Sequence, residues 1–170
     1  MQDVLNSQKS AIIERLGVYF EKEKNSPPLA ARILATLISN GNKGTTFDQL
    51  VNDLGASKST ISTHLTNLEH NNSITYYTKC GDRKRYYILK PGYITRKITA
   101  QINQWDTEIV IQKEVLAYKK NYNREQQSED RLPVDFHKLL LQFLEDAVQY
   151  LEKQLVIYQS KEEKYNSKQL

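Results

Sequence analysis

Between residues 57 and 67 the sequence places Ser57, Lys58, Ser59, Thr60, Ser62, Thr63 and Asn67. Shortly after come Lys79, Arg83, Lys84 and Arg85. The first group is short and polar, with one cation. Such side chains let a helix press against base edges and phosphates in a DNA major groove. A merely solvated helix more often carries Glu and Lys pairs, which add helical support. The second group packs four cations into Lys79-Cys80-Gly81-Asp82-Arg83-Lys84-Arg85. Those charges repel one another unless a polyanion lies nearby. The plain alternatives are a surface helix rich in Ser and Thr, and a charged turn that solubilises and protects a strand edge.

The elements that must hold these residues read clearly. Phe47, Leu50, Val51 and Leu54 fall on one helical face. Thr46 is placed to cap that helix, with Gln49 completing a capping box, and Gly55 suits a left-handed stop. Ser57 is placed to cap a second helix. Its apolar stripe is Ile61, Leu65 and Leu68, so Ser59, Thr63, Thr66 and His70 point the other way, flanked by Ser62 and Asn67. The amides of its first turn suit a phosphate. Ile74–Thr78 and Tyr86–Leu89 are rich in β-branched and aromatic residues, and the Gly and Asp between them supply turn chemistry. Helix, turn, helix and hairpin in that order predict a winged helix-turn-helix.

Charge concentrates on the same stretch. From Ala56 to Lys97 there are eight Lys and Arg against two acids, a net +6, while the whole chain carries only +4. A basic field is therefore expected where duplex DNA would lie.

The run SKSTISTHLTNLE, a short strand and then GDRKRYYIL resemble the MarR superfamily of bacterial regulators. The likeness is closest to its GbsR-like branch, whose wings often read Gly-acid-Arg-Lys before two aromatics, here Gly81-Asp82-Arg83-Lys84 and Tyr86-Tyr87. It spans roughly residues 28 to 92 and is only architectural elsewhere. The resemblance implies a dimeric, effector- or stress-responsive transcription factor, expected to be a repressor. It implies that a wing arginine enters the minor groove, either Arg83 or Arg85. It also implies an effector pocket between the winged domain and the dimer helices. Tyr93, Trp105, Tyr118 and Tyr122 are its candidate lining, since aromatics suit cationic ligands such as choline; plain core or interface is the competing reading. Cys80 among the wing cations is a second candidate sensor, against an incidental exposed thiol.

Around this domain the chain predicts long helices. Residues 4 to 24 carry an imperfect apolar face of Val4, Leu5, Ile12, Ile13, Leu16 and Phe20, weakened by Gly17. Ser26-Pro27-Pro28 breaks and restarts the chain. A helix over about 28 to 40 carries Ile33, Leu34, Leu37 and Ile38, and Asn42 to Thr45 are expected as a polar loop. After Pro91-Gly92, the residues Ile94, Ile98, Ile102, Trp105, Ile109 and Leu116 predict a helix from Ile94 to about Asn121, roughly 40 Å long. Lys119 to Arg131 reads as a charged loop. Pro133 is expected to open a last helix, whose wide apolar face is Phe136, Leu139, Leu140, Phe143, Leu144, Ala147, Val148, Leu151, Leu155 and Tyr158. From Gln159 the tail is polar and expected to fray.

The expected fold class is mainly α with a small β-hairpin wing: a winged helix-turn-helix plus long dimerisation helices. The expected domains are 1–25, a helix contributing to the dimer domain; 26–92, the DNA-binding domain; and 93–170, the dimerisation helices with a polar tail. A two-fold dimer would place two reading helices about one duplex turn apart on a pseudo-palindromic operator. A monomeric helical bundle is the alternative.

Met1-Gln-Asp-Val lacks the start of a signal peptide and no run is long and apolar enough to span a bilayer, so a cytoplasmic protein is expected. One cysteine excludes an internal disulfide, and His64, His70 and His137 form no ligand-spaced cluster. There is no phosphate-cradling glycine loop, GxSxG, HExxH or CxxC. Neither an enzyme nor a cofactor is expected. The competing function is a winged-helix module for protein association that reads no DNA sequence.

Overall fold

The structure, a computed structural model, describes residues 2–166. The chain divides into two compact units, Met1–Pro91 and Gly92–Leu170.

In the first unit α1 (Gln2–Lys24) packs on α2 (Pro28–Asn40). A short 3-10 turn (Gly41–Lys43) leads into strand β1 (Thr45–Thr46), then α3 (Phe47–Leu54), α4 (Lys58–His70), β2 (Ile74–Thr78) and β3 (Arg85–Leu89). The strands form one antiparallel sheet in the order β1-β3-β2. The expected polar loop at Asn42–Thr45 is therefore partly a strand. Thr45 and Thr46 pair with Tyr87 and Tyr86, and both threonines are buried. Their β-branched side chains suit a half-covered sheet edge better than solvent.

The core of this unit joins Ile33, Leu34 and Leu37 of α2 to Leu50, Ile61, Leu65, Leu68 and Ile74. Burying each such side chain contributes about 1.5–3 kcal/mol. Ile38, expected among them, lies instead on the exposed side of α2, while three alanines, Ala30, Ala31 and Ala35, are buried. Small residues there let neighbouring backbones approach. Within one chain α1 belongs with this unit. Gly17 is what permits the contact: a Cβ built on it would stand 2.9 Å from Arg32 Cγ. Arg32 in turn bonds both oxygens of Glu14 and reaches Glu21, tying α1 to α2.

The second unit is an antiparallel pair of long helices, α5 (Tyr93–Glu125) and α6 (Asp135–Asn166). The loop expected over 119–131 is found only from residue 126 onward, and its first part is corrected to helix. α5 continues through Glu125, because Lys119, Lys120, Arg124 and Glu125 are good helix formers and extend a helix already nucleated. A short turn follows, closed by Asn123, whose side-chain amide donates to Leu132 O at 2.9 Å and whose carbonyl accepts from Leu132 N at 2.8 Å. Pro133 precedes α6 rather than opening it. The helix also runs past Gln159 to Asn166, where fraying was expected; the last four residues of the tail lie outside the described residues.

Ile102, Ile109 and Leu116 of α5 meet Leu141, Leu144 and Val148 of α6 in a continuous seam, with Trp105 packed against it. His137 is buried beside them, its Nε2 2.8 Å from Gln112 O. The expected wide face of α6 is thus divided. One part fills the seam; Phe136, Leu139 and Phe143 stay exposed.

Candidate nucleic-acid interface

The turn between α3 and α4 sets the direction of α4. Thr46 accepts from Gln49 N, and Gln49 Oε1 accepts from Thr46 N at 2.8 Å, so the expected capping box is present. Gly55 ends α3 in the left-handed conformation. Ser57 caps α4, its Oγ accepting from Thr60 N at 3.2 Å. Ile61, Leu65 and Leu68 anchor α4 in the core.

Ser59, Thr60, Ser62, Thr63, Thr66, Asn67 and His70 are all exposed on the outer side, as are Ser57 and Lys58. Their hydrogen bonds divide them by chemistry. Thr63 Oγ1 donates to Ser59 O and Thr66 Oγ1 donates to Ser62 O, each at 3.0 Å. Both hydroxyls therefore offer outward an acceptor lone pair and a methyl group. That pairing suits the exocyclic amines of cytosine and adenine and the methyl of thymine. Lys58 and the Asn67 amide supply donors.

The wing is equally defined. β2 and β3 pair Thr78 with Arg85 and Tyr77 with Tyr86. At the tip Asp82 N donates to Lys79 O at 3.0 Å, and Asp82 Oδ1 accepts from Lys84 N at 2.9 Å. Tyr86 OH donates to Asp82 Oδ2 at 2.7 Å. These bonds, the tyrosine hydroxyl first and the Lys84 amide second, hold the Asp82 carboxyl below the ordinary aspartate range. The same bond raises the Tyr86 phenol, while burial raises that of Tyr87.

The wing tyrosines divide between the two faces of the hairpin. Tyr77 stacks on Tyr86 at 5.4 Å between centroids, and Tyr77 OH donates to Lys43 O at 2.9 Å. Tyr76 meets Tyr87 edge-on at 5.9 Å. Two of the four cations rest on these rings: Lys79 Nζ lies 4.1 Å from the Tyr86 centroid and Arg85 Cζ lies 4.3 Å from that of Tyr76. Arg83 and Lys84 stand exposed at the tip. No wing cation forms an ion pair among the described residues.

The four aromatics expected around an effector are not brought together. All lie on α5, where Tyr93 and Tyr122 are about 43 Å apart along the axis. Trp105 packs on the helical seam. Tyr118 and Tyr122 are exposed and contact each other at 6.2 Å. Cys80 is exposed at the wing tip. Arg32 and its two carboxylates carry no local signal in the sequence, because a glycine facing an arginine across two helices has no periodicity to reveal it.

No protein-family model matches the chain, and no curated protein matches it. Among solved structures it is similar to one described as the crystal structure of a transcriptional regulator. The two share 19% identity with a TM-score of 0.48, over 94% of this chain and 99% of the other. Among the described residues no helix is long and apolar enough to cross a membrane.

Proposed function

We propose that this chain is a sequence-specific DNA-binding transcriptional regulator of the MarR/GbsR type, acting as a homodimer that represses by occupying its operator. The observation that supports this reading is the uncovered polar face of α4 in the same unit as a cationic, ion-pair-free wing. Lys58, Lys79, Arg83, Lys84 and Arg85 capture phosphate; Ser59, Thr60, Ser62, Thr63 and Asn67 read base edges. Asp82, the one acid at the wing tip, is occupied in holding the turn. Arg83 is the wing residue assigned to the minor groove. Arg85 already lies on Tyr76, whereas Arg83 projects from the tip.

The apolar side chains that one chain leaves uncovered support the dimer. Ile111, Val115, Tyr118 and Tyr122 recur along α5 at four, three and four residues; Phe136, Phe143, Tyr150 and Ile157 recur along α6 at sevens. By the helical period both stripes lie on the same side of the shared seam. The Lys113–Glu145 pair lies on the other side. A monomer rarely exposes so many large apolar groups together.

Selecting bound duplexes from a random pool tests the proposal. A two-fold symmetric motif is expected; a pool that emerges unenriched at moderate salt would end the sequence-reading claim.

A further inference from the structure

A cavity of about 560 Å³ opens within the first unit, among α1, the end of α2, the 3-10 turn, α3 and the flank of the wing turn. Three cations from three different elements line it: Lys9 of α1, Lys43 of the 3-10 turn and Lys79 of the wing. None of the three forms an ion pair among the described residues. Among the described residues the single acid in the wall is Asp53. Gln49 also lines it, and its carbonyl oxygen already accepts from Thr46 N and Thr46 Oγ1, at 2.8 and 3.1 Å. What Gln49 has left is its amide donors. Gly44 forms part of the wall, and a Cβ there would stand 2.9 Å from Tyr86 Cβ, so the close approach of turn and wing that shapes the cavity requires glycine. The result is a concave site with a surplus of positive charge and of hydrogen-bond donors. Its volume suits a small molecule.

We propose that this cavity binds a compact small-molecule polyanion, of the phosphate or polycarboxylate class. We further propose that the bound anion engages Lys79 and so weakens the wing's hold on DNA. The second step rests on the DNA-binding reading above; the first does not. Lys79 is shared between the cavity and the wing, so anion and duplex compete for one charge. The coupling must be reciprocal: duplex binding weakens the anion by the same factor.

The test uses the full chain with inorganic pyrophosphate and with citrate as probes, by calorimetry at constant ionic strength without DNA. Saturable binding at one site per chain is expected. Lys9→Ala and Lys43→Ala should each weaken it at least about tenfold. Lys84→Ala removes the same charge from the wing tip, outside the cavity, and should leave it nearly unchanged. No saturable heat, or an equal loss in all three variants, would overturn the site. A second arm measures duplex affinity with and without pyrophosphate. Weakening in wild type but not in Lys9→Ala supports the coupling; unchanged affinity overturns it while leaving the site. If Lys9→Ala and Lys43→Ala weaken duplex binding when no probe is present, the lysines belong to the DNA surface and the small-molecule site falls. A chain that binds no duplex refutes the regulator reading, and the first arm still decides the cavity.

Discussion

Tyr86 donates its hydroxyl hydrogen to Asp82 Oδ2 at 2.7 Å, closing the wing turn from the strand that follows it. Because this bond favours the ionised carboxylate, the Asp82 value in the folded chain lies below that in the unfolded chain. The stabilisation is therefore complete above the unfolded value of about 3.9 and is lost as pH falls through the lower folded value. A carboxyl titration followed by NMR should place the Asp82 midpoint below the ordinary aspartate value. Tyr86→Phe should move it back up, leaving the shares of the Lys84 amide and of the Lys84 and Lys79 charges. An Asp82 midpoint that does not respond to Tyr86→Phe would show that the hydroxyl does not set the turn.

The wing cations are not equivalent. Arg83 stands clear of the tyrosine rings while Arg85 lies across Tyr76. Arg83→Ala is expected to lower duplex affinity on all sequences and to flatten the log–log salt slope by about 0.9, one phosphate contact's worth. Arg85→Ala should cost less affinity. A salt-titrated binding assay that ranks them in the opposite order would reassign the minor-groove role to Arg85.

On α4, Thr63 and Asn67 face outward with different chemistry, one a methyl and a lone pair, the other an amide. Thr63→Ala or Asn67→Ala should change base preference at single operator positions by about 1–3 kcal/mol of discrimination. Affinity for random DNA should hardly move. Equal losses on operator and random duplexes would mean that these residues touch phosphate, not bases.

The helix-turn-helix was legible because its signals are local. Thr46 and Gln49, Gly55, and Ser57 each act within four residues, and Ile61, Leu65 and Leu68 recur at the helical period. What was not legible depends on distant partners. β1 exists because Thr45 and Thr46 find Tyr87 and Tyr86 some forty residues on. The end of α5 is set by helix continuation and by the Asn123–Leu132 clasp, whereas its charged composition suggested a loop. The aromatics proposed for a pocket share composition but not place, since a single helix spreads them apart. Gly17 looked like a flaw in α1; across the helix pair it is the space that Arg32 occupies.

That last contact carries a stability prediction. Any side chain at position 17 must displace Arg32 Cγ, close to the root of the residue that grips Glu14 and Glu21. Gly17→Val is expected to destabilise the folded chain by about 1–3 kcal/mol through overpacking. That loss should outweigh the relief of placing glycine in a helix, about 0.5–1 kcal/mol when the replacement is alanine. Denaturant titration reads it directly. A midpoint equal to or above that of the wild type would show that α1 moves aside without cost.

The exposed stripes of α5 and α6 give the sharpest separation between a dimer and a monomeric helical pair. Phe143 is 61% exposed in one chain and Leu144, beside it in sequence, is 3% exposed. In a monomer Phe143→Glu would be close to neutral, because it replaces one solvated side chain with a better solvated one. In a dimer closed through this face it would bury an unpaired carboxylate, which costs several kcal/mol. Sedimentation of the variant is therefore expected to show the single chain's mass, with helix content by circular dichroism preserved because the α5–α6 seam is untouched. Leu144→Glu provides the contrast: it strikes the seam itself and should lower helix content in any oligomeric state. A Phe143→Glu variant that sediments as wild type would remove this face from the assembly, and with it the two-fold symmetry expected of the operator.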